Sequence, residues 1–233
     1  MTQLKSVKGI YKPGSAHMVG DGFPVRNVFQ LWVNLPKVLK MGAPRYQSVL
    51  NADIPQSNLG GPGGVIRVIA GEYEGLTGPA MTFTPVHLYD LRLVAGHRAE
   101  LRLPVGYNTG LFVPSGALVL NGSQKVGEAE MALCDPQGTK VDLEATEEAM
   151  VLVLSGEPIL EPVARMGPFV MNTEEELVQA VNDYRAGRMG HLDWAVVRAI
   201  GPSRDREPGW VERAEIVGIH IRLGKIGKLI FLL

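Results

Sequence analysis

Between Val65 and Leu154 the chain repeats one pattern nine times: a short β-branched or leucine-rich run closed by glycine, proline, asparagine or charged residues. The runs are Val65 to Ala70, Met81 to Thr84, Val86 to Val94, Ala99 to Val105, Thr109 to Val113, Ala117 to Leu120, Glu128 to Leu133, Lys140 to Leu143 and Ala149 to Leu154. Short strands at this density, with turn residues between them, predict an all-β sandwich or barrel. The 28 glycines and 16 prolines supply the punctuation. Asn121-Gly122 offers the two left-handed positions of a tight hairpin turn, and Ser115-Gly116 and Gln137-Gly138 mark neighbouring connections. Met150 to Leu154 is apolar at every position, which predicts a central strand covered on both faces.

One helix is expected after the strands. Thr173 can cap it, and Glu176 three residues on completes a capping box that satisfies the first free backbone N–H groups. Leu177, Val181 and Tyr184 then form an apolar stripe at helical spacing, expected to lie against the barrel, and Gly187 ends the helix. Glu174, Glu175 and Glu176 sit at the positive end of the helix dipole, so capping and solvation explain them better than metal binding does. Upstream, Phe29 to Leu35 reads as a strand. Gln47 to Gly64, with Gly60-Gly61-Pro62-Gly63-Gly64 at its end, reads as a linker.

Composition narrows the function classes. A formal net charge of −1 without clustered basic residues lacks the electrostatic footprint that a phosphate backbone demands, so direct nucleic-acid binding is not expected. No window reaches the uninterrupted apolar length of a membrane span, and Met1 to Tyr11 lacks a signal-peptide core, so a soluble protein is expected. The single cysteine, Cys134, cannot form an intrachain disulfide, which suits a reducing compartment and makes the cytoplasm the expected location.

The candidate chemistry is sparse. The five histidines, His17, His87, His97, His191 and His220, include no H-x-H pair, and no C-x-x-C occurs. His87 shares a strand face with Tyr89 and Leu91, as a satisfied structural histidine would, and His97 follows Gly96 in an expected exposed turn. Cys134 ends a strand far from any histidine and reads as a small buried hydrophobe. No G-x-S-x-G elbow or phosphate-binding glycine loop leading into a helix is found.

Two sets of segments carry a family resemblance. Gln30-Leu31-Trp32-Val33-Asn34-Leu35-Pro36 followed by Pro44-Arg45-Tyr46-Gln47 resembles the junction between the two halves of pirin-family proteins. Ser155-Gly156-Glu157-Pro158-Ile159, Glu161-Pro162-Val163 and Gly167-Pro168-Phe169-Val170-Met171-Asn172-Thr173 resemble the signature near that family's C-terminus. The likeness covers about Phe29 to His191. It implies a bicupin protein of two jelly-roll domains, the second an all-β cupin barrel with one C-terminal amphipathic helix. It also implies a mononuclear metal, commonly iron, held in the first cupin by three histidines and a glutamate. Some members resemble quercetin 2,3-dioxygenases, in which the metal orients a flavonol for attack by oxygen, and the animal pirins are nuclear coregulators. Iron with imidazole and carboxylate ligands and open positions suits oxygen chemistry.

The chain departs from that pattern where the metal would sit. The stretch before Trp32 is too short to contain the family's H-x-H pair. His17 falls about where the third histidine would stand and is the one candidate metal ligand, but the glutamate expected two positions later is Val19. A lone imidazole cannot hold iron against water and buffer, so iron belongs to the parent family and its retention here is not expected. In the second cupin the corresponding positions fall near Arg102, Pro104 and Thr109, none of which binds iron usefully. The resemblance divides the chain into 1–46, a remnant of the N-terminal cupin; 47–64, a linker; 65–191, the C-terminal cupin; and 192–233, a tail without a recognised counterpart, as a frame change or fusion would produce. Two readings follow. One is a pirin-like protein with a flavonol-like substrate and family-type dioxygenase chemistry. The other is a non-catalytic interaction or regulatory module with a protein partner or a homodimer, formed where missing strands leave an apolar edge.

Overall fold

The structure is a computed structural model that describes residues 5–11, 30–42, 47, 49–189 and 228–232. In chain order the elements are β1 (Val7–Tyr11), β2 (Gln30–Asn34), α1 (Lys37–Lys40), β3 (Gln56–Asn58), β4 (Gly64–Ala70), β5 (Glu72–Tyr73), β6 (Leu76–Thr77), β7 (Val86–Leu93), β8 (Arg98–Arg102) and β9 (Asn108–Ser115). They continue with β10 (Leu118–Leu120), β11 (Gln124–Val126), β12 (Glu130–Cys134), β13 (Lys140–Ala145), β14 (Ala149–Gly156), β15 (Ala164–Met166), β16 (Phe169–Met171), α2 (Glu174–Arg185) and β17 (Lys228–Leu232). The chain divides into two compact units: Met1–Ala16 with Ala52–Pro158, and His17–Asn51 with Ile159–Leu233.

The first unit is the expected β structure. A seven-stranded sheet runs β1-β12-β9-β14-β7-β4-β3 and a four-stranded sheet runs β11-β10-β13-β8. Strand alternation builds the core between them. On β13, Val141, Leu143 and Ala145 are buried while Lys140, Asp142 and Glu144 face out. The outward row pairs with β8, where Arg98 reaches Glu144 at 2.8 Å and Lys140 bonds to Glu100. Leu91, Leu101, Leu111, Val151 and Val153 have no exposed surface. The apolar run at Met150 to Leu154 does form an interior strand, since β14 is flanked by β7 on one side and β9 on the other. The Asn121-Gly122 turn adopts φ of +50° and +71° between β10 and β11, as the dipeptide predicts.

Several segments differ from expectation. Met81 to Thr84 is not a strand. Pro79 and Pro85 bracket it and withhold two ladder donors, and Met81 is 67% exposed. β8 ends at Arg102, before Pro104, and leaves Val105 exposed outside the sheet. The segment read as a linker holds β3, which pairs with β4, and Leu59, which joins the core at 3% exposure. Gly60 explains the compatibility of glycine with this packing, because at φ +71° a Cβ would lie 2.8 Å from the Arg98 carbonyl oxygen. β1, within the stretch read as another domain's remnant, instead adds an edge strand against β12.

The second unit has its own small core of Phe169, Met171, Leu177 and Ala180, with Ala164, Val181 and Met189 against it. β15 and β16 form a hairpin, and β2 pairs with β17 in antiparallel fashion. α2 starts with the expected capping box: Thr173 Oγ1 accepts from the Glu176 N–H, and the Glu176 carboxylate accepts from the Thr173 N–H, both at 3.3 Å. Leu177 and Val181 do face a core, but the hairpin β15–β16 supplies it. Tyr184 stays 65% exposed, with its ring edge-on to Phe169 at 6.0 Å. No helix among the described residues is long and apolar enough to cross a membrane.

Candidate site at the barrel mouth

β7, β14, β9 and β12 lie side by side, and their register aligns four inward-facing polar residues in one row. His87 is opposite Ser155, Ser155 is opposite Thr109, and Thr109 is opposite Cys134. The Thr109 and Ser155 hydroxyls are 2.8 Å apart and almost fully buried, so each satisfies the other. Cys134 closes the row as a buried thiol, pushed up to about 11 by burial and thereby kept protonated and inert.

His87 is held in one tautomer. The Tyr89 hydroxyl, next inward on β7, donates to the Glu72 carbonyl at 2.5 Å. His87 Nδ1 sits 2.6 Å from that hydroxyl oxygen and 3.1 Å from the same carbonyl. Both neighbours of Nδ1 are then acceptors, so Nδ1 carries the ring proton and Nε2 the lone pair. Burial lowers the imidazole pKa from its ordinary value, and burial raises the Tyr89 phenol, followed by its proximity to Tyr73 and Glu72. Tyr73 meets Tyr89 edge-on at 5.5 Å, and Tyr107 tilts against His87 at 5.5 Å. Gly71, at φ +77°, backs the ring where a Cβ would come within 2.8 Å of Nδ1.

The donor set does not fit iron. Among the described residues no group of three or more His, Cys, Asp or Glu side chains converges. Arg102 faces outward and pairs with Glu100 at 3.1 Å, Pro104 lies beyond the end of β8, and the Thr109 hydroxyl is committed to Ser155. One neutral imidazole beside two hydroxyls and a protonated thiol offers hydrogen bonds, not a ligand sphere. His17, the nominated metal ligand, lies outside the described residues, as do His191 and His220.

Other sequence candidates resolve into structural roles. His87 does share its face with Tyr89 and Leu91. His97 is not the exposed turn residue expected. Its Nε2 bonds the Leu59 carbonyl at 2.7 Å, and its ring packs where Cβ atoms on Gly63 or Gly64 would clash at 2.6 Å. Asp90, buried on the outer face of β7, accepts from Arg67 at 2.8 Å and Arg92 at 2.9 Å. The Cys134-Thr109-Ser155-His87 row itself was not legible from single strands, because it exists only once four registers are set. Its one local trace is a polar residue at an inward position of an otherwise apolar alternation, Thr109 before Leu111 and Val113, and Ser155 after Val151 and Val153.

Comparison with known proteins gives the lineage of this barrel. The family model of the pirin C-terminal cupin domain matches residues 88–190. A Pseudomonas aeruginosa protein provisionally named quercetin 2,3-dioxygenase PA2418 is 46% identical over 159 residues, 68% of this chain and 55% of that protein. Pirin from Mus musculus is 34% identical over 166 residues, 69% of this chain and 56% of its own length. The solved structure of a quercetin 2,3-dioxygenase from Acinetobacter baumannii superposes with a TM-score of 0.65 at 40% identity, covering 67% of this chain and 55% of that one. The chain thus spans little more than half the length of the relatives it matches. With an all-β fold, the expected motifs and these relatives in agreement, the chain belongs to the pirin family and carries that family's C-terminal cupin domain.

Proposed function

We propose that this chain acts as a metal-free cupin module, binding and positioning a partner, and does not itself oxidise a flavonol. The observation that carries the reading is the row His87, Ser155, Thr109 and Cys134, which offers hydrogen bonds and, among the described residues, no converging set of metal ligands. The partner is a protein or a second copy of the chain, and the cytoplasm suits a protein with one unpaired, buried cysteine. The identity to proteins named as quercetin 2,3-dioxygenases supports a second reading, in which iron and a flavonol-like substrate are bound and His17 is a ligand.

Iron content and quercetin turnover of the purified full chain separate the two. The expected result is sub-stoichiometric iron after reconstitution and no oxygen-dependent product. Stoichiometric iron with turnover, both lost in His17→Ala, would overturn the module reading.

A further inference from the structure

The turn between β10 and β11 carries the chain's one Asn-Gly pair, and its side chain is tied to the N-terminal segment. Asn121 Nδ2 donates to the Lys5 carbonyl at 2.7 Å, while Asn121 Oδ1 accepts from the Asp142 N–H at 3.1 Å. Lys5 is held at two further points. Its backbone N–H donates to the Lys140 carbonyl at 2.8 Å, its Nζ donates to the Pro136 carbonyl at 2.9 Å, and the residue has no exposed surface. The segment then continues through Ser6, whose carbonyl accepts from Asp135, into β1, with Val7 opposite Cys134 and against the core. Residues 5–11 therefore form a strap over the β12 edge, and the Asn121 side chain fastens it at the Lys5 carbonyl.

Asparagine before glycine has an intrinsic chemistry. The glycine nitrogen attacks the asparagine side-chain carbonyl carbon, a C–N bond forms, and the Cγ–Nδ2 bond breaks as the amide leaves as ammonia with the proton from that nitrogen. Water then opens the resulting succinimide to aspartate or isoaspartate. Gly122 has no side chain to shield its nitrogen, and a Cβ placed there would meet nothing within 4 Å, so no neighbour packs on that side of the residue. What restrains Asn121 is its two hydrogen bonds, which hold the amide plane in one orientation. The Lys5 half of that restraint goes when the strap lifts, and the amide is then held by the Asp142 N–H alone.

We propose that Asn121 is a deamidation site gated by the N-terminal strap, and that the reaction loosens the strap irreversibly by removing one of its bonds. Aspartate replaces the Nδ2 donor with a carboxylate oxygen facing the Lys5 carbonyl; in isoaspartate Cγ is joined to the Gly122 nitrogen, so the Nδ2 donor to Lys5 is lost as well. In the aspartate product two acceptors then oppose each other where a hydrogen bond was, while the bond from the Asp142 N–H survives. Isoaspartate adds a backbone atom to a turn whose residues already sit at positive φ. The strap loses one of its fastenings, so it opens more often and uncovers the β12 edge and the Cys134 side of the core.

The test uses the full chain aged in mildly alkaline buffer, with peptide mass spectrometry at Asn121 and thiol labelling of Cys134 read in parallel. Asn121→Asp is expected to label roughly fivefold faster than the wild type, the factor carried by one lost hydrogen bond of average strength. Lys5→Ala, which weakens the strap and leaves the Asn-Gly pair intact, is expected to gain the deamidation mass of about 1 Da several times faster than the wild type. Circular dichroism confirms that both variants keep the barrel, and hydrogen exchange places the opening in residues 5–11 and 130–134. Labelling of Asn121→Asp at the wild-type rate, or deamidation of Lys5→Ala at the wild-type rate, would overturn the proposal.

Discussion

His87 titrates against its own fold. Burial disfavours its cation, so the folded-state pKa lies below the ordinary value of 6.5. Above pH 6.5 both states hold it neutral and it takes nothing from stability. As the pH falls through 6.5 the unfolded chain gains the proton first, and stability is lost until the pH passes below the lowered folded value. Urea denaturation at pH 7.5 and at pH 5 should therefore show a larger acid loss for wild type than for His87→Gln, and equal losses in the two would refute the assignment. The sequence told part of this story. Alternation put His87 beside Tyr89 and Leu91, but the carbonyl that fixes its tautomer comes from Glu72, across a turn whose geometry depends on Gly71 at φ +77°.

At the scale of elements, legibility followed periodicity. β4, β7, β9, β13 and β14 were visible because each carries several inward apolar residues in alternation, and α2 because its capping box is a local signal. β3 was hidden because Gln56, Ser57 and Asn58 are all exposed at a sheet edge, where pairing with β4 and not burial makes the strand. The cross-strand pair Thr109–Ser155 is likewise invisible within either β9 or β14. Its energetics can be separated by a double-mutant cycle. Thr109→Val leaves the Ser155 hydroxyl buried without a partner and is expected to cost about 1–3 kcal/mol, as is Ser155→Ala for the converse reason. The double variant removes both polar groups and should cost clearly less than the two single losses added together. Additive losses in chemical denaturation would mean that the hydroxyls do not satisfy each other.

For the whole molecule, the all-β class and the family followed from ordered motifs, whereas strand pairing between distant segments did not. The strap at residues 5–11 and the segment from Ala52 belong to the barrel unit although sequence distance and glycine content set them apart, because strand pairing joins residues without regard to separation along the chain. Apolar content alone also failed to locate the core. Leu111 and Leu160 are the same residue type in neighbouring family-like stretches, yet Leu111 has no exposed surface and sits among the barrel core, while Leu160 is 93% exposed. Truncating Leu111 removes buried methyl groups and leaves a cavity between two sheets that meet across it, so Leu111→Ala is expected to cost about 2–5 kcal/mol. Leu160→Ala removes groups already in water and should change stability by no more than about 0.5 kcal/mol. Equilibrium urea curves on the two variants measure the contrast directly, and a comparable loss at both positions would mean that Leu160 is covered in solution by something the single chain does not supply.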